Sequence, residues 1–583
     1  MTNGVGMELN FGSLGAARPQ SASPTRFRIA LMGDFSGRAA RGEVEIGEGL
    51  AARRPIKLDI DTLEKVIKGF AAELILPIGK DGAGIEVSLA SVDDLHPDEL
   101  FGNVEMFAEL VALKRRLSSG KTAASAVNDL KAWGEEFGRK VNPPAKKSAG
   151  NSVPSDRKLS DFAALVGGNV TRKAEASSTD DLLQRIVGPY VRALPDPDAS
   201  DLQDAAEEAL AGAMRLVLHH PEFQSVEAQW RMLDLIARSV ETDQKLDIVL
   251  YDISAEELAA DLASQDDLAE TGICQLLRES TPDGRGPFSA VCGLYTFEET
   301  PPHAELMGRM AQVAAHVRTP FFAAITPTFL DTDIKDRHPL VAEAWDALRA
   351  MPEAGYVGLV SPRFLLRRPY GAKSDPISEF DFEEFTQSEG LSGMLWANPV
   401  ALVTMLLARS FRKNGASLGL GSIMSLGGMP YHYVKDRYGD QVALPCTERN
   451  LTQAKTQATI GRGYMPVISV KGRDEVRLGS FQALNGKTVL GFWSDVPAMP
   501  PRPKSEPAKA APAVTPAVTP AAAPAAAEAA EPPVALDADL EALLASFGDD
   551  FGSTPAVAPQ AEAAAPPAEE EMDADLAALL ASL

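Results

Sequence analysis

The sequence predicts an α/β protein with three parts: a small α/β domain, a larger α/β domain and a disordered Pro/Ala-rich acidic tail carrying two short amphipathic helices. Three observations carry this. Short apolar runs alternate with segments of helical period, the pattern of strands packed against helices. A polar, turn-rich stretch at 141–160 (VNPPAKKSAGNSVPSDRKLS) separates a first group of such elements from a second. Beyond about residue 497 the chain becomes Pro/Ala-rich, with Ala-Val-Thr-Pro repeated at 513–516 and 517–520. The expected boundaries are a flexible start (1–25), a small domain (26–140), a linker (141–179), a large domain (180–496) and a tail (497–583).

In the small domain, residues 26–35 (RFRIALMGDF) read as a strand entering a turn at Gly33-Asp34. Residues 55–60 (PIKLDI) read as a second strand. Asp61 then looks like a helix N-cap, with Glu64 completing a capping-box pattern ahead of Val66, Ile67 and Phe70. Residues 74–77 and 84–89 read as further strands. A helix should follow 91–100, with Phe101, Val104, Phe107, Leu110, Val111, Leu113 and Leu117 on its apolar side.

In the large domain, 180–238 has helical period, and Leu216, Leu218, Phe223, Val226, Trp230 and Leu233 suit helices lying on a sheet. Strands are expected at 245–251, 287–295, 320–326 and 356–360, with helices at 255–279 and 304–317 between them. Residues 396–412 form a strongly apolar helix, and 464–470 a late strand.

The tail cannot bury enough surface to fold and should be an extended linker. Within it, 536–547 (LDADLEALLASF) recurs as 572–583 (MDADLAALLASL). Leu536, Leu540, Leu543, Leu544 and Phe547 share one helical face in the first copy. Met572, Leu576, Leu579, Leu580 and Leu583 share it in the second. The aspartates fall in the first turn, where the helix dipole favours them. A helix of this length is marginal alone. Two tethered copies therefore suit a hydrophobic groove on another, unknown chain.

Composition narrows the function classes. At 583 residues and 45% apolar, the chain has ordinary globular composition. Its net charge is −25. That argues against nucleic acid or an anionic membrane as main partner, since both need a basic footprint. Residues 501–583 carry 3 Lys/Arg against 14 Asp/Glu, or −11, so the ordered part is only moderately acidic. No apolar run reaches the ~18 residues of a membrane-spanning helix. The first residues lack the pattern of a signal peptide. A cytoplasmic location is expected. Cys274, Cys292 and Cys446 are odd in number and far apart, which fits buried free thiols in a reducing compartment.

No catalytic constellation is present. His219 and His220 are adjacent, so on a helix they point about 100° apart and cannot converge on one ion. Gly419-Leu-Gly421 and Gly427-Gly428 read as turns, with no phosphate-loop lysine behind them. Asp381, Glu383 and Glu384 read as a solvated acidic loop. No enzyme activity, cofactor or metal is expected.

The most distinctive stretch is 356–371 (YVGLVSPRFLLRRPYG), where a buried strand ends at Pro362 and an arginine-rich segment follows. It closely resembles a signature of the large subunit of the type VI secretion contractile sheath (TssC/VipB). Other stretches in the same order carry the likeness: 218–231 (LHHPEFQSVEAQWR), 320–327 (PFFAAITP), 395–398, 407–411, 428–430, 445–448 and 463–467. Residues 26–115 resemble the small sheath subunit (TssB/VipA), through 31–37 (LMGDFSG), 53–59 (RRPIKLD) and 91–98 (SVDDLHPD). The chain thus looks like a small and a large sheath subunit joined in one polypeptide. Joining suits subunits that form an obligate pair, since a tether removes most of the entropic cost of association.

The resemblance implies a structural role. The chain would pair with itself or other sheath subunits and face an inner tube, a baseplate or a sheath-disassembling unfoldase. Arg363, Arg367 and Arg368 would make lattice contacts between copies, meeting acidic residues such as Glu383 and Glu384. Two departures stand out. The family's C-terminal interlocking portion is replaced after about Asp495 by the acidic tail. The large subunit's N-terminal arm has room only in 150–200. Two readings follow: a sheath building block, or a non-polymerising homologue that serves as an accessory, baseplate-associated or regulatory binding protein.

Overall fold

The computed structural model describes residues 9–15, 26–78, 84–117, 122–136, 197–278, 287–386, 390–435 and 441–494. The linker, the room left for an N-terminal arm up to residue 196, and both tail repeats lie outside these residues.

Fifteen strands are present among the described residues, nine of them in one sheet. They are β1 (Phe27–Gly33), β2 (Ile56–Leu58), β3 (Ala72–Leu76), β4 (Ile85–Leu89), β5 (Leu246–Asp252), β6 (Ala290–Phe297), β7 (Phe321–Ile325) and β8 (Val357–Ser361). After them come β9 (Phe364–Leu365), β10 (Trp396–Ala397), β11 (Ser425–Gly427), β12 (Tyr433–Lys435), β13 (Gln441–Ala443), β14 (Tyr464–Ser469) and β15 (Glu475–Leu478). The large sheet runs β11-β15-β14-β8-β7-β6-β1-β5-β2. Its central strands, from β14 across to β5, are parallel. Strand β2 closes one edge antiparallel to β5, and β15 and β11 close the other.

The central strands read as near-continuous apolar runs because both faces are covered. Every residue of β1, β7 and β8 is buried. On one face lie the helices Pro221–Ser239 and Val400–Asn414, together with Pro197–Leu218. On the other lie Ala255–Ser264, Gly272–Arg278, Pro301–Val317 and Pro339–Ala350. The strands β3 and β4 form a separate hairpin whose inward residues join the first core.

The two stretches, expected as consecutive domains, share this sheet. Strand β1, from the first stretch, sits between β5 and β6 of the second, paired with Leu246–Asp252 on one side and with Ala290–Gly293 on the other. Residues 9–15, expected to be flexible, dock on the helix Pro301–Val317. The Gln312 amide donates to the Phe11 carbonyl, and Arg309 Nε donates to the Asn10 carbonyl at 3.0 Å. Phe11 lies against Gly308, where a Cβ would come within 2.1 Å of the ring.

Three local expectations are also corrected. Asp61 is not a cap: Asp59 accepts from the Asp61 amide and starts a short 3-10 turn, and the helix Leu63–Phe70 begins after it. The helix expected after residue 100 breaks at extended Val104 into Pro97–Asn103 and Glu105–Leu117. The apolar helix begins at Val400 rather than 396, because Trp396–Ala397 pairs with β9.

Candidate assembly surface

The arginine-rich segment leaves the end of β8, one strand in from β14. Its first residue, Arg363, is half exposed and held by Glu448: Nη2 lies 2.6 Å from Oε2, and the Arg363 amide donates to Oε1 at 2.9 Å. Phe364 and Leu365 then turn inward as β9 and are buried.

Arg367 points into the protein. Its Nε donates to Glu227 Oε1 at 2.7 Å, and its Nη1 to Glu384 Oε2 at 2.6 Å. Both carboxylates are buried, Glu227 on the helix Pro221–Ser239 and Glu384 on the returning loop. Arg231 joins the cluster, one turn along from Glu227 at 2.7 Å, and donates to the Tyr370 hydroxyl at 2.8 Å. The Arg367 guanidinium stacks 4.3 Å from the centre of the Tyr370 ring.

Burial alone would push Glu384 up. The Arg367 charge outweighs it, with hydrogen bonds from His219, Arg367 and the Tyr370 amide, and the carboxyl is held at about 2. Burial pushes the Tyr370 hydroxyl to about 12. The Arg367 guanidinium stays charged because Glu227 and Glu384 overcome its own desolvation.

Arg367 and Glu384, expected to face a neighbouring copy, are instead buried and meet each other inside one chain. Arg368 and Glu383 alternate with them and face out. No described residue forms an ion pair with Arg368. Glu383 accepts from the Ala372 amide at 3.1 Å and stays exposed. Lys373, Asp375, Glu379 and Asp381 are exposed on the same loop. The loop also touches the first stretch of the chain: the Ser378 amide donates to Asp98 at 3.0 Å, and the Phe380 ring packs tilted against Phe101, centroids 5.4 Å apart. The buried ion cluster thus shapes a loop whose outer side is charged.

A second polar network, absent from any motif, joins the two stretches of the chain. Glu257, fully buried, receives Arg53 at 2.6 Å and Arg38 at 3.0 Å. It also accepts from the Glu45 amide at 3.0 Å, and with Ser254 it forms the capping box of the helix Ala255–Ser264. Burial opposes its charge, but the two guanidiniums hold it at about 2. Nearby, Asp261 accepts from the Gly47 amide at 2.7 Å, and Trp230 donates to the Phe35 carbonyl at 2.8 Å. At the opposite, N-terminal end of β1 and β5, Arg28 and Asp247 form a buried pair at 3.2 Å.

His220 caps the helix Pro221–Ser239 by accepting from the Glu222 amide, which is a structural role. The three cysteines are buried and outside any disulfide. Burial pushes the Cys292 thiol to about 12. Among the described residues no group of His, Cys, Asp or Glu is placed to hold a metal, and no helix is long and apolar enough to cross a membrane.

Residues 204–485 match the VipB (EvpB) tail sheath N-terminal domain, and residues 20–134 match the VipA family of type VI secretion systems. The chain belongs to the type VI sheath proteins, as a fused TssB–TssC-like chain. The sheath protein TssC1 of Pseudomonas aeruginosa PAO1 is 31% identical over 289 residues, which is 46% of this chain and 58% of that protein. The chain thus spans little more than half of that relative's length. The two matched segments are the same two stretches that interleave in the large sheet.

Proposed function

We propose that this protein is a structural subunit of a type VI contractile sheath, assembling with further copies or other sheath subunits into a tube whose contraction drives protein secretion. The observation that carries the reading is the interleaving of a VipA-type and a VipB-type segment in one sheet, which brings parts of both subunit types together in a single chain. Its role is then mechanical rather than catalytic, in the cytoplasm, next to an inner tube, a baseplate or an unfoldase that dismantles the spent sheath. Contraction would proceed by rigid-body rotation of subunits between two lattice arrangements.

Within this reading, the outward residues of the signature loop, Arg363, Arg368 and Glu383, contact neighbouring copies. The leucine faces of the two tail repeats, outside the described residues, recruit a separate chain by laying into a hydrophobic groove. Replacing Leu540, Leu543, Leu576 and Leu579 with Ser should remove that partner from a pull-down without changing the melting temperature. A drop in melting temperature instead would mean the repeats pack on their own chain.

Negative-stain electron microscopy of the purified protein, alone and with lysate of its own cell, tests the main reading. Hollow tubes from the protein alone support it. Discrete particles in both conditions, or decoration only at the ends of other tubes, would favour an accessory role.

A further inference from the structure

Nothing about the placement of β1 requires it to come from the same molecule. Both its neighbours lie more than two hundred residues away in sequence. Between Glu136 and Pro197 the only tie is a stretch of 60 residues, 137–196. A stretch of that length reaches as far as about 200 Å when extended.

The seam around β1 also has the character of a specific interface. Ladder hydrogen bonds flank the strand on both sides, and the Arg28–Asp247 pair is buried within it. Arg38 and Arg53 converge on Glu257, and Lys114 meets Glu207 at 2.7 Å. The partner that fits this surface best is the same segment of a second copy, because it presents an identical set of groups.

We infer that the segment up to residue 136 can complete the sheet of a second copy, so that two chains are joined by reciprocal exchange. The choice between closing on itself and exchanging is made during folding. Until β5 and β6 exist, β1 has no neighbours, and afterwards so large a seam opens slowly. At high protein concentration, the second copy competes with the tethered segment. This inference does not rest on tube formation, so its failure and the failure of the sheath reading are separable.

The Arg28–Asp247 pair supplies the test. R28D alone and D247R alone each place two like charges together in the core, and each should yield little soluble protein. The double variant R28D/D247R in one chain restores the pair in reversed sense and fixes the reference yield. Co-expressed R28D and D247R chains, carrying different tags, can restore opposite charges at both seams only by exchange. The carboxylate introduced at position 28 of one chain then meets the guanidinium introduced at position 247 of the other. The unaltered Arg28 and Asp247 pair across the second seam. Recovery of soluble protein to the reference yield, with both tags in one complex, is the expected result. No recovery while the double variant is soluble would overturn the inference.

If the reversed pair itself fails to fold, the antiparallel partners Lys57 and Val249 give a second route. Chains carrying K57C and V249C, co-expressed and then oxidised, should form a two-chain disulfide that neither forms alone. Its absence would equally overturn the proposal.

Discussion

The two ion networks solve the same problem in opposite ways. Around Arg367 the charges are dry: the guanidinium and both carboxylates are buried, and each has few substitutes. Around Glu257 only the carboxylate is fully buried. Its guanidinium partners reach toward solvent, where Glu43 and Glu45 share them at 43% and 56% side-chain exposure. The first network is brittle and fixes one loop. The second is redundant, and it lies where two distant stretches must find each other.

That contrast predicts a ranking. The largest effect belongs to Arg367→Glu or Glu384→Ala, because breaking a dry pair leaves an uncompensated buried charge, at a cost of about 3–5 kcal/mol. Chemical denaturation should show it. A loss under about 1 kcal/mol would mean the cluster is wetter than its burial implies.

Acid should act on both networks. Glu384 and Glu257 both titrate at about 2 in the folded protein, against an ordinary value of 4.5. Depressed carboxyls contribute stability that is present above pH 4.5 and lost as pH falls toward 2. For Glu384 the loss is on the order of 3 kcal/mol. Glu384→Gln should flatten that acid limb in a pH series of melting temperatures, and an unchanged slope would count against the assignment.

Next comes Arg38→Ala, which leaves Arg53 on Glu257 and should cost only about 1 kcal/mol. Removing Arg38 and Arg53 together should cost far more than the sum of the singles, and simple additivity would refute the redundancy. Smallest for stability are Arg363→Ala, below about 1 kcal/mol for a half-exposed pair, and Arg368→Glu, near zero. Arg368→Glu should nevertheless abolish assembly if the loop's outer side meets a neighbour. Normal assembly of that variant would rule the contact out.

Much of the fold was legible in the sequence. The strands announce themselves as apolar runs, and the late strand at 464 falls where expected. Strand order was not legible, because the partners of β1 are chosen by residues two hundred positions away and a buried parallel strand carries no local mark of its neighbours. The arginine cluster misleads for a related reason. Arginine is rarely buried, so Arg367 reads as a surface residue. Only Glu227, in a helix far upstream, and Glu384 make its burial possible. Alternation alone hints at the answer: Arg367 and Glu384 face in where Arg368 and Glu383 face out.

The position of β1 has a mechanical consequence. A pull along its axis loads its ladders with β5 and β6 together, in shear, so the bonds resist in parallel and do not open one at a time like a zip. At the sheet's two margins, β11 and β2 each have one neighbour over three residues and would peel first. Under axial load the molecule should therefore fray at those margins while the double ladder around β1 remains its strongest seam.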